Sequence, residues 1–405
     1  MESINCPKLE DSDPLPSKLD FEDTKIAFSY KSNIELKKTA FLFRLMNNSA
    51  LVKLSAFISL AALKLRIPMT QYFIKKTIFS QFVGGESLFD CQKTIDNLDN
   101  FGTLTILDYG AEGKNKEEEF DAVMFENFKA IEMAASNNSV PVISIKVTGL
   151  ASNEILEKLN SNDVLSEGES DAFERVKERI DKICFKAAEH GEGIFIDAEE
   201  TWIQKPIDEL ALAMMQQYNK SKVIIYNTYQ MYLVNKFEQL KNDHSFALEN
   251  EFFLGAKLVR GAYMEKERKR AIEKGYTSPI QSNKTATDNQ YDASVIYCLD
   301  HYQSIGFCSS THNVNSNLLQ ARLIEERGID KSHPHINFCQ LYGMSDCITF
   351  NLVNAGYNVA KYVPYGPVKE VIPYLIRRAE ENSSVTGEMS RELALIMKEV
   401  NRRKI

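Results

Sequence analysis

The sequence predicts an α/β fold, eight parallel strands closed into a (βα)8 barrel behind an N-terminal helical arm. Three observations predict it. Eight short, β-branched apolar runs recur between residues 104 and 366. They are continuous and not alternating, as strands buried on both faces must be. Stretches of helical periodicity separate them, and 405 residues suit one large barrel plus a helical extension.

The elements follow in order. Residues 1–30 are rich in Pro, Ser and Asp and are expected to be loosely held. From Asn33 to Leu98 the pattern is helical, with Leu42, Leu45, Leu51 and Leu54 at helical spacing and a break at Gly84–Gly85. Residues 1–98 are therefore read as a flexible segment and helical arm, and 99–405 as the barrel with a C-terminal helix. The strand runs are Leu104–Gly110, Val140–Val147, Gly193–Glu200, Lys222–Tyr229, Gly255–Tyr263, Ser304–Asn313, His335–Gly343 and Tyr357–Gly366. Asp171–His190 is one of the intervening helices. A doubly wound open sheet is the rival arrangement. Periodicity does not separate the two, and the count of eight favours the barrel.

Polar and ionisable residues stand at or just beyond the strand ends: Asp108, Lys146, Asp197, Glu199, Asn227, Lys257, Arg260, His312, Asn313, Gln340 and Tyr362. In a barrel that end is the rim where active sites are built. Strand ends also simply meet polar loops, which accounts for any one of them. It accounts less well for Lys146 and Asp197, which sit at apolar runs where an unpaired charge is costly.

The balance of 48 basic and 56 acidic residues, net −8, argues against a general nucleic-acid binder. The seven cysteines form no CxxC pair and read as reduced thiols packed as small hydrophobes. Residues 1–25 carry acids and no apolar run, so neither a signal peptide nor an arginine-rich presequence is expected. The stretch Leu51–Met69 is interrupted by Lys53, Lys64 and Arg66 and reads as an amphipathic helix, not a span. The expected location is cytoplasmic, with peripheral contact to the cytoplasmic membrane left open. There is no HExxH, no Cys/His ligand spacing, no GxGxxG before a helix and no GxxxxGK[ST]. No metal, dinucleotide fold or P-loop is therefore expected.

Six ordered blocks carry a family resemblance: "ISIK" (Ile143–Lys146), "IDAEE" (Ile196–Glu200), "GAKLVRGAYMEKERKRAIEKGY" (Gly255–Tyr276), "STHN" (Ser310–Asn313), "QLYGM" (Gln340–Met344) and "YLIRRAEEN" (Tyr374–Asn382). Together they resemble the proline dehydrogenase (proline oxidase) family, and cover residues 104–382. The resemblance implies a distorted (βα)8 TIM barrel with FAD at the C-terminal rim and a last helix over the substrate. It implies oxidation of L-proline to Δ1-pyrroline-5-carboxylate by hydride transfer to flavin N5, the first step of proline catabolism, with electrons passed to a quinone. A chain of this length resembles the monofunctional members, whose product needs a separate pyrroline-5-carboxylate dehydrogenase.

The resemblance also implies roles. Arg377 and Arg378 match arginines that bind the proline carboxylate, a ligand that suits the guanidinium fork. Glu381, four and three residues later, is spaced to brace them. Without the motif, this charge run reads as surface pairs worth little. Lys146 matches a lysine that approaches the same carboxylate, and it is expected to pair with Glu381. Asp197 matches an aspartate beside flavin and proline, able to hold Tyr263 or a basic neighbour. Tyr263 and Tyr362 match tyrosines lining the proline ring. Relatives selective for hydroxyproline differ at the position of Tyr362, so its presence favours proline. Leu341 and Tyr374 are further candidate walls of the pocket. Lys257 and Arg260 match basic residues against the isoalloxazine and the FAD phosphates. Many bacterial relatives have Arg and then Lys there, so this order resembles the mitochondrial-type branch. Asn227 stands where the family often has a flavin-bonding glutamine. Thr311, His312 and Asn313 match the cofactor-contacting "THN".

Overall fold

The computed structural model describes residues 19–65, 67–384 and 388–405. The side chains of 379–384 and 388–390, and of several residues between 49 and 63, lie outside that description. Eight parallel strands close into a barrel in chain order. They are β1 Leu104–Tyr109, β2 Val142–Ile145, β3 Gly193–Ile196, β4 Ile225–Gln230, β5 Leu254–Val259, β6 Ile305–Ser310, β7 Ile336–Leu341 and β8 Val359–Tyr365. Each lies within, or one residue beyond, the run read from sequence. The open-sheet alternative is excluded.

The chain divides into two compact units. The first holds Ala111–Thr311 and Asn315–Phe338. Its strands β2 to β6 pair in sequence, with Phe195 beside Tyr226, Thr228 beside Lys257 and Lys257 beside Cys308. Registered partners on parallel strands point to the same face, so Ser144, Phe195 and Tyr226 share a face. The helices between these strands carry their own stops and starts. The helix Glu167–His190 opens with a capping box between Ser166 and Glu169 and closes on Gly191 at φ 76°.

The second unit holds 19–110, His312–Val314 and Cys339–Ile405. Here β1 pairs with β8, from Leu104 beside Ala360 to Tyr109 beside Tyr365. A hydrophobic core joins the arm helix Asn33–Met46, the rim helix Val368–Ser384 and the C-terminal helix Glu388–Arg403 through Leu36, Phe43, Val371, Leu375 and Ile396. Residues 19–30 are not loose, contrary to the compositional expectation, while 1–18 lie outside the described residues. Asp23 caps the short helix Thr24–Ala27, Phe28 is fully buried, and Thr24 donates to Glu399 (3.0 Å). Arg403 donates to the carbonyl of Phe28 (2.7 Å). A few apolar anchors and a cap offset a polar composition.

The six described cysteines are buried. No helix among the described residues is long and apolar enough to cross a membrane.

Candidate active site

In the first unit, the C-terminal ends of β2, β3 and β5 bring three charged groups together. Asp197 follows β3, and its backbone N–H donates to the carbonyl of Ile145 (2.9 Å), extending the ladder by one residue. Its Oδ1 accepts from Lys257 Nζ at 2.6 Å, and its Oδ2 pairs with Lys146 Nζ at 3.5 Å. All three side chains are nearly buried, at 12%, 6% and 9% exposure. Lys257 Nζ also stands 5.2 Å from the centre of the Phe195 ring. Two cations share one carboxylate in a dry place, where Coulomb energy is least screened.

Arg260, just beyond β5, is fixed by three bonds: Nε to Asp288 (2.8 Å), Nη1 to Thr311 Oγ1 (2.6 Å) and Nη2 to Ser316 Oγ (2.9 Å). Its guanidinium carbon lies 4.3 Å from the Tyr291 ring centre. Thr311 is thus held by Arg260. Gly261 follows at φ 128°, and a Cβ there would fall 2.2 Å from the Tyr232 ring, so no other residue fits. Tyr263 is buried at the start of the helix Met264–Lys274, with Lys266 Nζ 5.7 Å from its ring centre.

Asn227 is not brought to this group. Its Nδ2 donates to Asp208 (2.9 Å) on the helix Thr201–Tyr218. The cause is parity: Thr228 shares its face with Lys257, so Asn227, one residue earlier, faces the opposite way. The buried amide on the Lys257 side is Gln230, whose Nε2 donates to the carbonyl of Glu199 (2.7 Å). Gln230 was missed from sequence, because only the register of Thr228 against Lys257 shows which residues of the run share that face.

Glu199 is a further member. It is buried, accepts from the Thr148 N–H (3.0 Å) and hydroxyl, and its own N–H donates to Gln204 (2.7 Å). Thr148 lies in the 3-10 turn Val147–Gly149, which Lys146 precedes. Glu199 therefore pins the turn that sets the direction of Lys146. Burial pushes its carboxyl up to about 7, against the Thr148 hydrogen bonds and the Lys146 charge. A folded value above the unfolded one favours folding at low pH, and that contribution fades as pH rises from about 4.5 through 7. Glu392 in the second unit is raised to about 7 as well, by burial and then by Asp346. Wild-type stability is expected to fall by about 3 kcal/mol per group across that window. Denaturation midpoints between pH 5 and 8 check this, and Glu199→Gln should make the slope shallower. An unchanged slope would exclude Glu199 as a titrating group.

In the second unit, His312 Nδ1 and Ser345 Oγ are 2.8 Å apart, and Asn313 beside it is half-buried. Lys361 on β8 bonds outward to Asp346 (3.0 Å), so the adjacent Tyr362, buried, faces the other side of the strand. The N–H of Tyr342 donates to the Tyr362 carbonyl (2.8 Å), which places Leu341 and Tyr362 on neighbouring strand ends. Gly343, at φ 78°, lets Gln81 approach; a Cβ would lie 1.9 Å from its carbonyl oxygen. Arg377 is half-buried and Arg378 buried on the rim helix, the latter with its guanidinium carbon 5.4 Å from the Tyr374 ring centre. The side chain of Glu381 lies outside the described residues. Among the described residues no cluster of His, Cys, Asp or Glu could hold a metal ion.

An anionic cofactor with a polar ring fits this donor set. Arg260 spends three of its five N–H donors on the protein and keeps two in a fixed orientation, as a phosphate requires. Lys257 offers a buried ammonium, as an electron-rich ring requires.

Fold and rim define a (βα)8-barrel protein with its charged groups at the carboxyl ends of its strands. The proline dehydrogenase family profile matches residues 91–391. The chain is 34% identical to proline dehydrogenase 1, mitochondrial, of Dictyostelium discoideum, over 96% of this chain and 75% of that one. It is 32% identical to hydroxyproline dehydrogenase of Xenopus laevis, over 95% and 90%. The barrel is similar to the structure of proline utilization A from Bdellovibrio bacteriovorus, with TM-score 0.70 and 20% identity. The match covers 93% of this chain and about two fifths, 39%, of that longer one. The chain belongs to the proline dehydrogenase family, a family of oxidoreductases.

Proposed function

We propose that this protein oxidises L-proline to Δ1-pyrroline-5-carboxylate, with FAD as its cofactor. The observation that supports it most is the buried Lys146–Asp197–Lys257 group at the ends of β2, β3 and β5, in a chain that carries the family's arginine pair. FAD, when bound, supplies an acceptor for the two electrons that leave ring carbon C5 as hydride. The protein's residues do the rest. Arg377 and Arg378, with Glu381 bracing them, hold the substrate carboxylate by charge-assisted hydrogen bonds, and Lys146 adds a third cation. Tyr263, Tyr362 and Leu341 confine the ring and exclude water, which fixes distance and angle. Asp197 holds Lys257 and Lys146 in place. Lys257 and Gln230 face the flavin ring, Arg260 takes a phosphate, and Thr311, His312 and Asn313 complete the cofactor contacts. Asn227 has no part in this assignment, because Asp208 holds it.

A quinone is the proposed acceptor of the electrons, and a separate pyrroline-5-carboxylate dehydrogenase the consumer of the product. A second reading, oxidation of hydroxyproline, is favoured by similarity to the Xenopus laevis enzyme along nearly the whole chain. Tyr362 argues the other way, since a buried ring there leaves less room for a ring hydroxyl. The test is an anaerobic absorbance spectrum of the FAD-loaded protein, with L-proline in one cuvette and trans-4-hydroxy-L-proline in another. Bleaching is expected at least tenfold faster with L-proline, equivalent to about 1.4 kcal/mol. Bleaching only with hydroxyproline would overturn the Tyr362 argument, and a protein that binds no FAD would overturn the cofactor.

A further inference from the structure

The helix Met264–Lys274, which Tyr263 opens, is turned the wrong way round for its composition. Its buried residues are Glu267 and Ala271, while Ile272 is 83% exposed. A helix that docks by its apolar stripe would bury the isoleucine and leave the acid in water. Here Glu267 is fully buried. A carboxylate out of water is costly unless hydrogen bonds replace the water. Thr201 supplies them. Glu267 Oε1 accepts from the Thr201 backbone N–H at 2.7 Å, and Oε2 from the Thr201 hydroxyl at 2.6 Å. Thr201 is the first residue of the helix Thr201–Tyr218, so its N–H has no acceptor within that helix.

The bond joins two segments that each carry a site residue. Thr201 lies four residues after Asp197, and Glu267 four residues after Tyr263. Tyr263, Glu267 and Ala271 follow one another at the spacing of one helical face, and all three are buried. The Glu267 N–H donates to the Tyr263 carbonyl at 2.9 Å, so the acid and the tyrosine belong to one rigid turn. Two more contacts lie along the same seam. Lys266 pairs with Glu200 at 2.7 Å, but its side chain is 64% exposed and water screens the pair. Arg270 pairs with Glu157 on the helix Asn153–Asn160, and its guanidinium carbon stands 4.4 Å from the centre of the Trp202 ring. Glu267 is the contact of the seam that is both dry and doubly bonded.

We propose that Glu267 is a positioning residue for Tyr263. By holding Thr201 it fixes the helix Met264–Lys274 against the loop after β3, and so fixes where the tyrosine ring stands relative to Asp197. A side chain that confines a substrate is only as precise as the groups that support it. For the role of Tyr263 the inference rests on the reading given above; for the brace itself it rests on the seam alone.

The experiment is a double-variant cycle on the full-length, FAD-loaded protein, read as the second-order rate constant for flavin bleaching by L-proline. Glu267→Ala is expected to lower it at least tenfold. In a Tyr263→Ala background the same change should cost less than about twofold, because the residue it acts through is gone. Glu267→Gln keeps the shape and an acceptor for the Thr201 N–H, and should restore most of the rate. Equal losses with and without Tyr263 would overturn the proposal, since a general structural defect adds to any other. So would no loss in Glu267→Ala, or a glutamine variant as impaired as the alanine one. Where Glu267→Ala does not fold, Thr201→Val, which deletes one of the two donors, carries the same cycle. The second readout needs neither FAD nor proline. Trp202 is the single tryptophan of the chain, and acrylamide quenching of its emission should rise in Glu267→Ala as Arg270 leaves the ring. Unchanged quenching would show that the helix stays in place without the acid, and would overturn the brace. A wild-type protein that proline does not bleach, with the Trp202 change present, defeats the functional reading and leaves the brace standing.

Discussion

Asp197→Ala is expected to cost about 3–5 kcal/mol of stability and to abolish most turnover. Its carboxylate lies between Lys257 Nζ at 2.6 Å and Lys146 Nζ at 3.5 Å, and both ammonium groups are nearly buried. Removing it takes away the carboxylate that both nearly buried ammonium groups contact, and breaking a buried ion pair is strongly destabilising. Asp197→Asn keeps an acceptor for Lys257 but not the charge, so its loss should be intermediate. Urea midpoints rank the three proteins. The decisive variant is Asp197→Ala combined with Lys257→Met. Removing one cation along with the anion should return part of the lost stability, through coupling between neighbours. It should return no activity, because Lys257 is assigned to the cofactor. If the double variant is as unstable as the sum of the two single ones, the pair is not what stabilises this rim. If Asp197→Ala melts like wild type, the lysines have other compensation and the reading of this site is wrong.

The barrel was legible because strands buried on both faces leave continuous apolar runs, and all eight were placed from that signal alone. The same signal hid which way each side chain points. In a run such as "VIIYNTYQ", inward and outward positions look equally apolar, so Asn227 read as a rim amide. Its orientation became visible only when Thr228 was registered against Lys257, a partner 29 residues away. Likewise Asp197 and Lys257 are 60 residues apart, and no local pattern announces their bond. The packing of 19–30 was hidden for a different reason. The prolines that colour the composition of residues 1–30 all precede residue 19, while apolar residues, Phe21 and Phe28 among them, determine the burial of 19–30. Glu199 was visible as a rim acid, but its work on Thr148 depends on a turn that the sequence does not mark.

Arg378→Met should cut kcat/KM for L-proline about ten- to hundredfold, the worth of a hydrogen bond to a charged group, about 1.5–3 kcal/mol. Methionine keeps an unbranched stem near Tyr374 and deletes the fork that matches a carboxylate. The rim helix should persist, because its anchors Val371 and Leu375 belong to the core of the second unit. Arg377→Met, at the less buried neighbour, should lose less. A structural defect would slow any substrate, so the discriminating reagent is pyrrolidine, the same ring without the carboxylate. Wild type should oxidise it poorly, and Arg378→Met should oxidise it at nearly the wild-type rate. The variant then erases a preference, leaving basal chemistry in place, which is the signature of uniform loss of one binding contact. Equal losses on proline and pyrrolidine would mean that Arg378 shapes the pocket without reading the carboxylate. That result would move the carboxylate contact to Arg377 and Lys146, whose own methionine variants would then carry the substrate preference.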